Sequence, residues 1–173
     1  MSFIPFEIYE EIIFTTGDLL LAIHLNLTRV SCKVYNTEKY QFNIVCKDGL
    51  LDVVKWLHKN HKEGCTFLAM DWASMNGHLE VVKWLHENRN EGCSTYAMDY
   101  ASHYGHLEVV KFLHENRKEG CTTDAMDYAS ENGHLEIVKF LHENRKEGCT
   151  IKALSYAGHL EIFKYLSENC NKK

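Results

Sequence analysis

A segment close to Gly-His-Leu-Glu-Val-Val-Lys-Trp-Leu-His recurs along most of this chain. Its first glycine falls at Gly49, Gly77, Gly105 and Gly133, each 28 residues after the last, and a fifth copy starts three residues early at Gly158. The other half of the unit repeats as well: Ala69 to Ser74 returns as Ala97 to Ser102 and as Ala125 to Ser130. A fixed period of this length means stacked supersecondary units, each contacting only its neighbours. A residue repeated at one phase is explained first by holding units together. Binding residues should then gather where the units differ.

The unit between Gly92 and Gly120 shows what each half must do. Gly92 suits a left-handed helix end. The following hydroxyl, Ser94 here and Thr66, Thr122 and Thr150 elsewhere, can cap a helix start. A first helix is expected from about Thr95 to Tyr104, with Ala97, Met98, Tyr100 and Ala101 sharing its apolar face. Gly105 interrupts the chain. A second helix is expected from about His106 to Arg117. Glu108 sits favourably in its first turn, within pairing reach of Lys111. Leu107, Val109, Val110, Phe112 and Leu113 make an apolar face too broad for one unit to bury. Stacking must bury it.

This helix-turn-helix unit, with its Gly-His-Leu-Glu-Val-Val-Lys core, resembles the ankyrin repeat over about residues 38 to 169. The usual ankyrin period is 33, so a period of 28 implies that the projecting hairpin loop is cut to a tight turn. The family's Thr-Pro-Leu-His tetrapeptide is replaced by Asp124-Ala125-Met126-Asp127 and its equivalents. The hydroxyl–imidazole bonding of that tetrapeptide is therefore absent. Such short repeats look like those of ankyrin proteins from amoebae and their giant viruses. The expected fold is all-α: an ankyrin-like solenoid of about five repeats over residues 37–173, behind a helical segment over residues 1–36. The first unit is degenerate, with Leu50-Leu51-Asp52 for His-Leu-Glu, and the last is shortened at Tyr156-Ala157. Atypical end units are expected as caps.

Several chemistries fit poorly. The net charge of -5 offers no field for nucleic acid or an acidic membrane surface. The apolar stretch around Ile12 to Leu27 is broken by Asp18, His24 and Asn26, so it reads as neither a membrane span nor a secretory signal. Four of the seven cysteines, Cys65, Cys93, Cys121 and Cys149, follow the array period. Stacked helices lie roughly 8–10 Å apart and a disulfide needs Cα atoms within about 7 Å, so these four form a ladder of separate thiols. A reducing cytosol or nucleus is the better compartment. His78, His106 and His134 are spread by the same period, as are His58, His86, His114 and His142. Zinc needs its ligands around one point, so no metal or other cofactor is expected. The histidine that follows each repeat glycine is expected to bond backbone at the turn between helices. The trio Asp99, Ser102 and His106 recurs as Asp127, Ser130 and His134. An enzyme needs one preorganised site and not a copy per repeat, so catalysis is not expected.

Residues 1–36 lie outside the repeat. Ile4-Pro5-Phe6-Glu7-Ile8 opens an apolar helix, Pro5 suiting its first turn, and Asp18-Leu19-Leu20 opens another. This stretch resembles the F-box, with Pro5, Glu7, Ile8, Ile12, Asp18, Leu19, Val30 and Tyr35 in the motif's places. The gap from Asp18 to Val30 is longer than that motif, and Tyr35 stands for its usual Trp. The resemblance implies that Pro5, Ile8, Ile12 and Leu19 would dock a Skp-type subunit of a cullin ubiquitin ligase. The other reading is that these helices seal the open end of the array.

The function expected is protein–protein interaction by an intracellular, cytoplasmic monomer, in the host cytoplasm if the source is viral. If the F-box reading holds, the chain is a substrate adaptor. The alternative is a scaffolding repeat protein with no ligase link. Variable positions beside the first helix and its closing turn are the expected docking residues: Phe67, Leu68 and Met75, then Tyr96, His103 and Tyr104, then Asp124 and Glu131. Asp71, Asp99 and Asp127 are expected opposite the apolar face of that helix, as an acidic row on the concave side. Glu115 and Arg117 are expected on the outer side of the second helix.

Overall fold

A computed structural model describes residues 41–60, 64–155 and 159–169. The described residues form ten helices and no strand. In chain order these are α1 Gln41–Lys47, α2 Leu51–Asn60, α3 Phe67–Met75, α4 Leu79–Asn88, α5 Tyr96–His103, α6 Leu107–Asn116, α7 Thr123–Glu131, α8 Leu135–Asn144, α9 Ile151–Ser155 and α10 Leu160–Asn169. Each odd-numbered first helix packs on the second helix that follows it. First helices also touch first helices, and second helices touch second helices, from unit to unit. The described residues thus form an all-helical solenoid. The F-box-like positions Pro5, Ile8, Ile12 and Leu19 lie outside the described residues.

The caps follow from the sequence. The hydroxyls of Thr66, Ser94, Thr122 and Thr150 accept from the N–H groups of Leu68, Tyr96, Asp124 and Lys152 at 3.1–3.3 Å. First helices end on a left-handed glycine. At Gly105, φ is +81°, His106 N–H reaches back to the Ala101 carbonyl at 2.9 Å, and Gly105 N–H reaches that of Ser102 at 3.4 Å. These are the paired bonds of a Schellman motif, which satisfy the last carbonyls of the helix.

Burial follows stacking. Helix α6 buries Val109, Val110 and Leu113, while Leu107 and Phe112 are half-buried. Helix α5 buries Ala97, Met98 and Ala101, whose small alanines let first helices approach closely. It also buries Ser102, whose hydroxyl donates to the Met98 carbonyl at 2.7 Å. Glu108 and Lys111 pair at 2.8 Å, as do their counterparts on α4 and α8 at 2.9 Å. These exposed pairs contribute little to stability.

Both histidine series join neighbouring units. The ring of His134 donates from Nε2 to the His103 carbonyl at 3.0 Å, and His106 bonds the Met75 carbonyl in the same way one unit earlier. The backbone partner is indeed at a turn between helices, but it is the turn of the preceding unit. Each ring lies so close over that turn's glycine that a Cβ on Gly105 would come within 2.7 Å of His134. In the other series, His58, His86, His114 and His142 meet Trp84, Phe112, Phe140 and Tyr165 of the next unit edge-on, at centroid distances of 5.1–5.8 Å.

Arg117 departs from expectation. It is half-buried, and it ties two units together rather than lying free on the outer surface. Its guanidinium pairs with Glu119, bonds the Cys93 thiol and approaches His86 Nδ1 at 3.4 Å. Glu119 in turn accepts from Cys93 N–H at 3.3 Å. Arg89 and Arg145 repeat the ion pair with Glu91 and Glu147 and the bond to a thiol, Cys65 and Cys121. The thiols of Cys46, Cys65, Cys93 and Cys121 are not joined in disulfides.

Candidate functional site

The first helices present the variable residues, and their phase decides which side chains are available. Asp99 and Tyr100 exchange the places expected of them. Asp99 is 1% exposed, whereas Tyr100 is 37% exposed. The same exchange occurs at Asp71 beside Trp72 and at Asp127 beside Tyr128, where the aspartates are buried and the aromatic residues half-buried. The acidic row expected on the concave side is therefore a set of buried joints, and Asp71, Asp99 and Asp127 do not face a partner.

The physical reason is the next unit's helix start, which needs acceptors. Asp71 accepts Ser94 N–H at 2.8 Å and the Ser94 hydroxyl at 2.5 Å. Asp99 accepts Thr122 N–H at 2.8 Å and its hydroxyl at 3.0 Å. Asp127 holds Thr150 with bonds of 2.8 and 2.5 Å. In the degenerate first unit Asn43 stands at this phase and bonds Thr66 through both its amide atoms, at 2.9 and 3.1 Å. The hydroxyl thus donates to one unit's carboxylate while capping the next unit's helix. This forward hook starts from Asp127, the last residue of the segment Asp124-Ala125-Met126-Asp127, and from its equivalents. Burial pushes the Asp71 and Asp99 carboxyls above their ordinary range, against the lowering effect of these hydrogen bonds.

With aspartate turned inward, an aromatic strip is left outside. Tyr96 and Tyr100 on α5 and Tyr104, the residue at its C-terminal cap, succeed one another at intervals of four and share a face. Tyr96 is 57% exposed and Tyr104 51% exposed. The rings of Tyr96 and Tyr100 lie 5.7 Å apart. His103 joins the strip to the next unit, with centroids 4.5 Å from Tyr104 and 5.1 Å from Tyr128, both edge-on. Asn132 Nδ2 also approaches Tyr128 O at 2.9 Å and His103 Nδ1 at 3.3 Å. An amide nitrogen only donates, so Nδ1 accepts and the ring proton sits on Nε2.

The remaining expected residues distribute along this strip. Phe67 is exposed at the start of α3, and Leu68 and Met75 are half-buried on the same helix. Asp124 is half-buried and Glu131 exposed on α7. Tyr100, Trp72 and Tyr128 are the residues that sequence reasoning placed wrongly or passed over. Each follows the repeated aspartate directly, and the conservation of that aspartate through the units was the available signal that it was packed.

Among the described residues no three His, Cys, Asp or Glu side chains converge as a metal site would require. No described helix is long and apolar enough to cross a membrane. The family model for ankyrin repeats matches residues 42–127, 70–153 and 100–173 in overlapping copies. The chain belongs to the ankyrin-repeat family. Proteins of this class are protein–protein interaction modules, and the array described above is one such module. No curated protein matches the chain.

Proposed function

We propose that the chain binds a protein partner along the exposed edge of its first helices, with Tyr96, Tyr100, His103 and Tyr104 as anchors and Phe67, Leu68, Met75, Asp124 and Glu131 as flanking contacts. The observation that carries this reading is a contiguous set of exposed tyrosines on helices whose other positions are committed to packing. Rigid aromatic side chains dominate interface energetics, and large exposed apolar surface on a folded chain marks interaction sites. The activity is binding without catalysis, by a monomer inside the cell.

The test uses the full chain and a variant carrying Tyr96→Ala with Tyr104→Ala. A partner recovered from cell extract with the parent chain should be lost with the variant, while both melt together. Retention of the same partner at equal affinity would place its site elsewhere.

A second role rests on residues 1–36, whose sequence does not follow the repeat. We propose that Pro5, Ile8, Ile12 and Leu19 dock a Skp-type subunit, making the chain a substrate adaptor of a cullin-type ubiquitin ligase. Co-purification with that subunit, abolished by Leu19→Asp, is the expected result. No co-purification with the parent chain would leave the scaffolding reading in its place.

A further inference from the structure

The strip changes character from unit to unit at matched positions. On α3 it reads Leu68, Trp72 and Met75, which is apolar. On α5 it reads Tyr96, Tyr100 and His103. On α7 it reads Asp124, Tyr128 and Glu131, two carboxylates around one ring. Packing fixes none of this difference, since the buried residues of the three helices are the same set: two alanines, a methionine, an aspartate and a serine.

We infer that the partner is a basic segment that sets an apolar side chain on Trp72 of α3 and an arginine or lysine against Tyr128 of α7. This inference rests on the docking strip proposed above. A cation over a tyrosine face is attracted by the ring quadrupole, and nearby carboxylates add direct charge pairing. Asp124 lies one helical turn before Tyr128 and Glu131 lies three residues after it, so all three share a face. The local field is negative: Asp124 foremost, then burial, then Tyr100, Asp99 and Glu131 push the Tyr128 hydroxyl above its ordinary range. Tyr100 lies between the two anchors, and its ring can cover the connecting backbone. Helices pack about 8–10 Å apart, so α3 and α7 are separated by roughly 16–20 Å. Extended chain advances about 3.3 Å per residue, so about five or six residues should separate the apolar residue from the basic one.

The experiment selects a random-sequence peptide library, displayed on phage, against the immobilised full chain. Recovered peptides are then synthesised with each Arg replaced by citrulline and each Lys by acetyl-lysine. The expected result is enrichment of a basic residue about five or six positions from an apolar one, with affinity falling about tenfold or more on neutralisation, in keeping with a charge-reinforced cation–π contact. Asp124→Asn with Glu131→Gln should weaken binding by a similar factor and leave the melt unchanged. Peptides that need Tyr100 and Tyr128 but show no basic preference would overturn the basic partner and leave the docking strip standing. Peptides indifferent to both tyrosines, or no peptides recovered at all, would overturn the strip and this inference with it.

Discussion

Asp99 accepts both the backbone N–H and the hydroxyl of Thr122, a residue of the next unit, at 2.8 and 3.0 Å. Hydrogen bonds to a charged group contribute about 1.5–3 kcal/mol each, and a buried donor left alone costs its full desolvation. Asp99→Ala should therefore lower stability by about 2–4 kcal/mol. Asp99→Asn should cost much less, because Asn43 holds Thr66 in the first unit with two bonds, its Oδ1 accepting the N–H and its Nδ2 donating to the hydroxyl. Urea unfolding of both variants checks this, and equal losses would show that the carboxylate charge itself is required.

Gly105 carries two constraints at once. Its φ of +81° disfavours any side chain, and a Cβ there would lie 2.7 Å from the His134 ring. Gly105→Ala should destabilise by more than the ~1 kcal/mol typical of a left-handed site alone. In a double-mutant cycle, His134→Ala should relieve the steric part and leave the backbone part. Strict additivity of the two substitutions would mean that the ring can move away freely.

The periodic thiols should be poor nucleophiles. Burial, reinforced by neighbouring carboxylates and opposed by the arginines, pushes Cys65 up to about 11 and Cys93 and Cys121 up to about 12. Only thiolate reacts at a useful rate. Iodoacetamide at about pH 8 should label these positions far more slowly in the folded chain than in urea. Labelling of Cys93 at the rate of a free peptide thiol would show that its surroundings are open.

Acid should loosen the outer network at Glu119. Burial alone would raise its pKa, but the Arg117 ion pair and the backbone N–H bonds prevail and bring it down to about 2 from an ordinary 4.5. A lowered folded-state value means stabilisation that is full above pH 4.5 and lost as pH falls toward 2. His106, lowered by burial from 6.5, adds a loss as pH falls through that value, because the unfolded chain takes its proton first. Asp71 and Asp99 act in the opposite sense: their raised values favour the folded chain on protonation. Melts across this range should show a shallower acid slope for Glu119→Gln than for the parent. Parallel curves would remove Glu119 from the linkage.

The repeat period, glycine breaks and hydroxyl caps made the helices legible in the sequence. Their bounds fall within two residues of those expected: α5 at Tyr96–His103 against Thr95 to Tyr104, for example. The orientation of the first helix was harder to read. Apolar content alone turned Tyr100 inward and Asp99 outward, because a lone helix would bury the ring. What decides is the next unit's helix start, 23 residues further on, whose N–H and hydroxyl need an acceptor inside the stack. That demand is tertiary and does not show in one helix's periodicity. It was visible only as an aspartate unchanged at Asp71, Asp99 and Asp127 while its neighbours varied. Arg117 was misread for the same reason, since its partner His86 belongs to the preceding unit and Cys93 lies at the far end of its own.

The most direct measurement compares two adjacent residues, Asp127 and Tyr128, in urea unfolding of Asp127→Ala and Tyr128→Ala. Asp127 is buried and holds Thr150 through two bonds, while Tyr128 stands half-exposed on the strip beside His103. The expected result is a loss of about 2–4 kcal/mol for Asp127→Ala and a loss of less than about 1 kcal/mol for Tyr128→Ala, in the range of substitutions that break no packed feature. The reverse order would contradict the division between packing aspartates and free aromatics on which the docking strip depends.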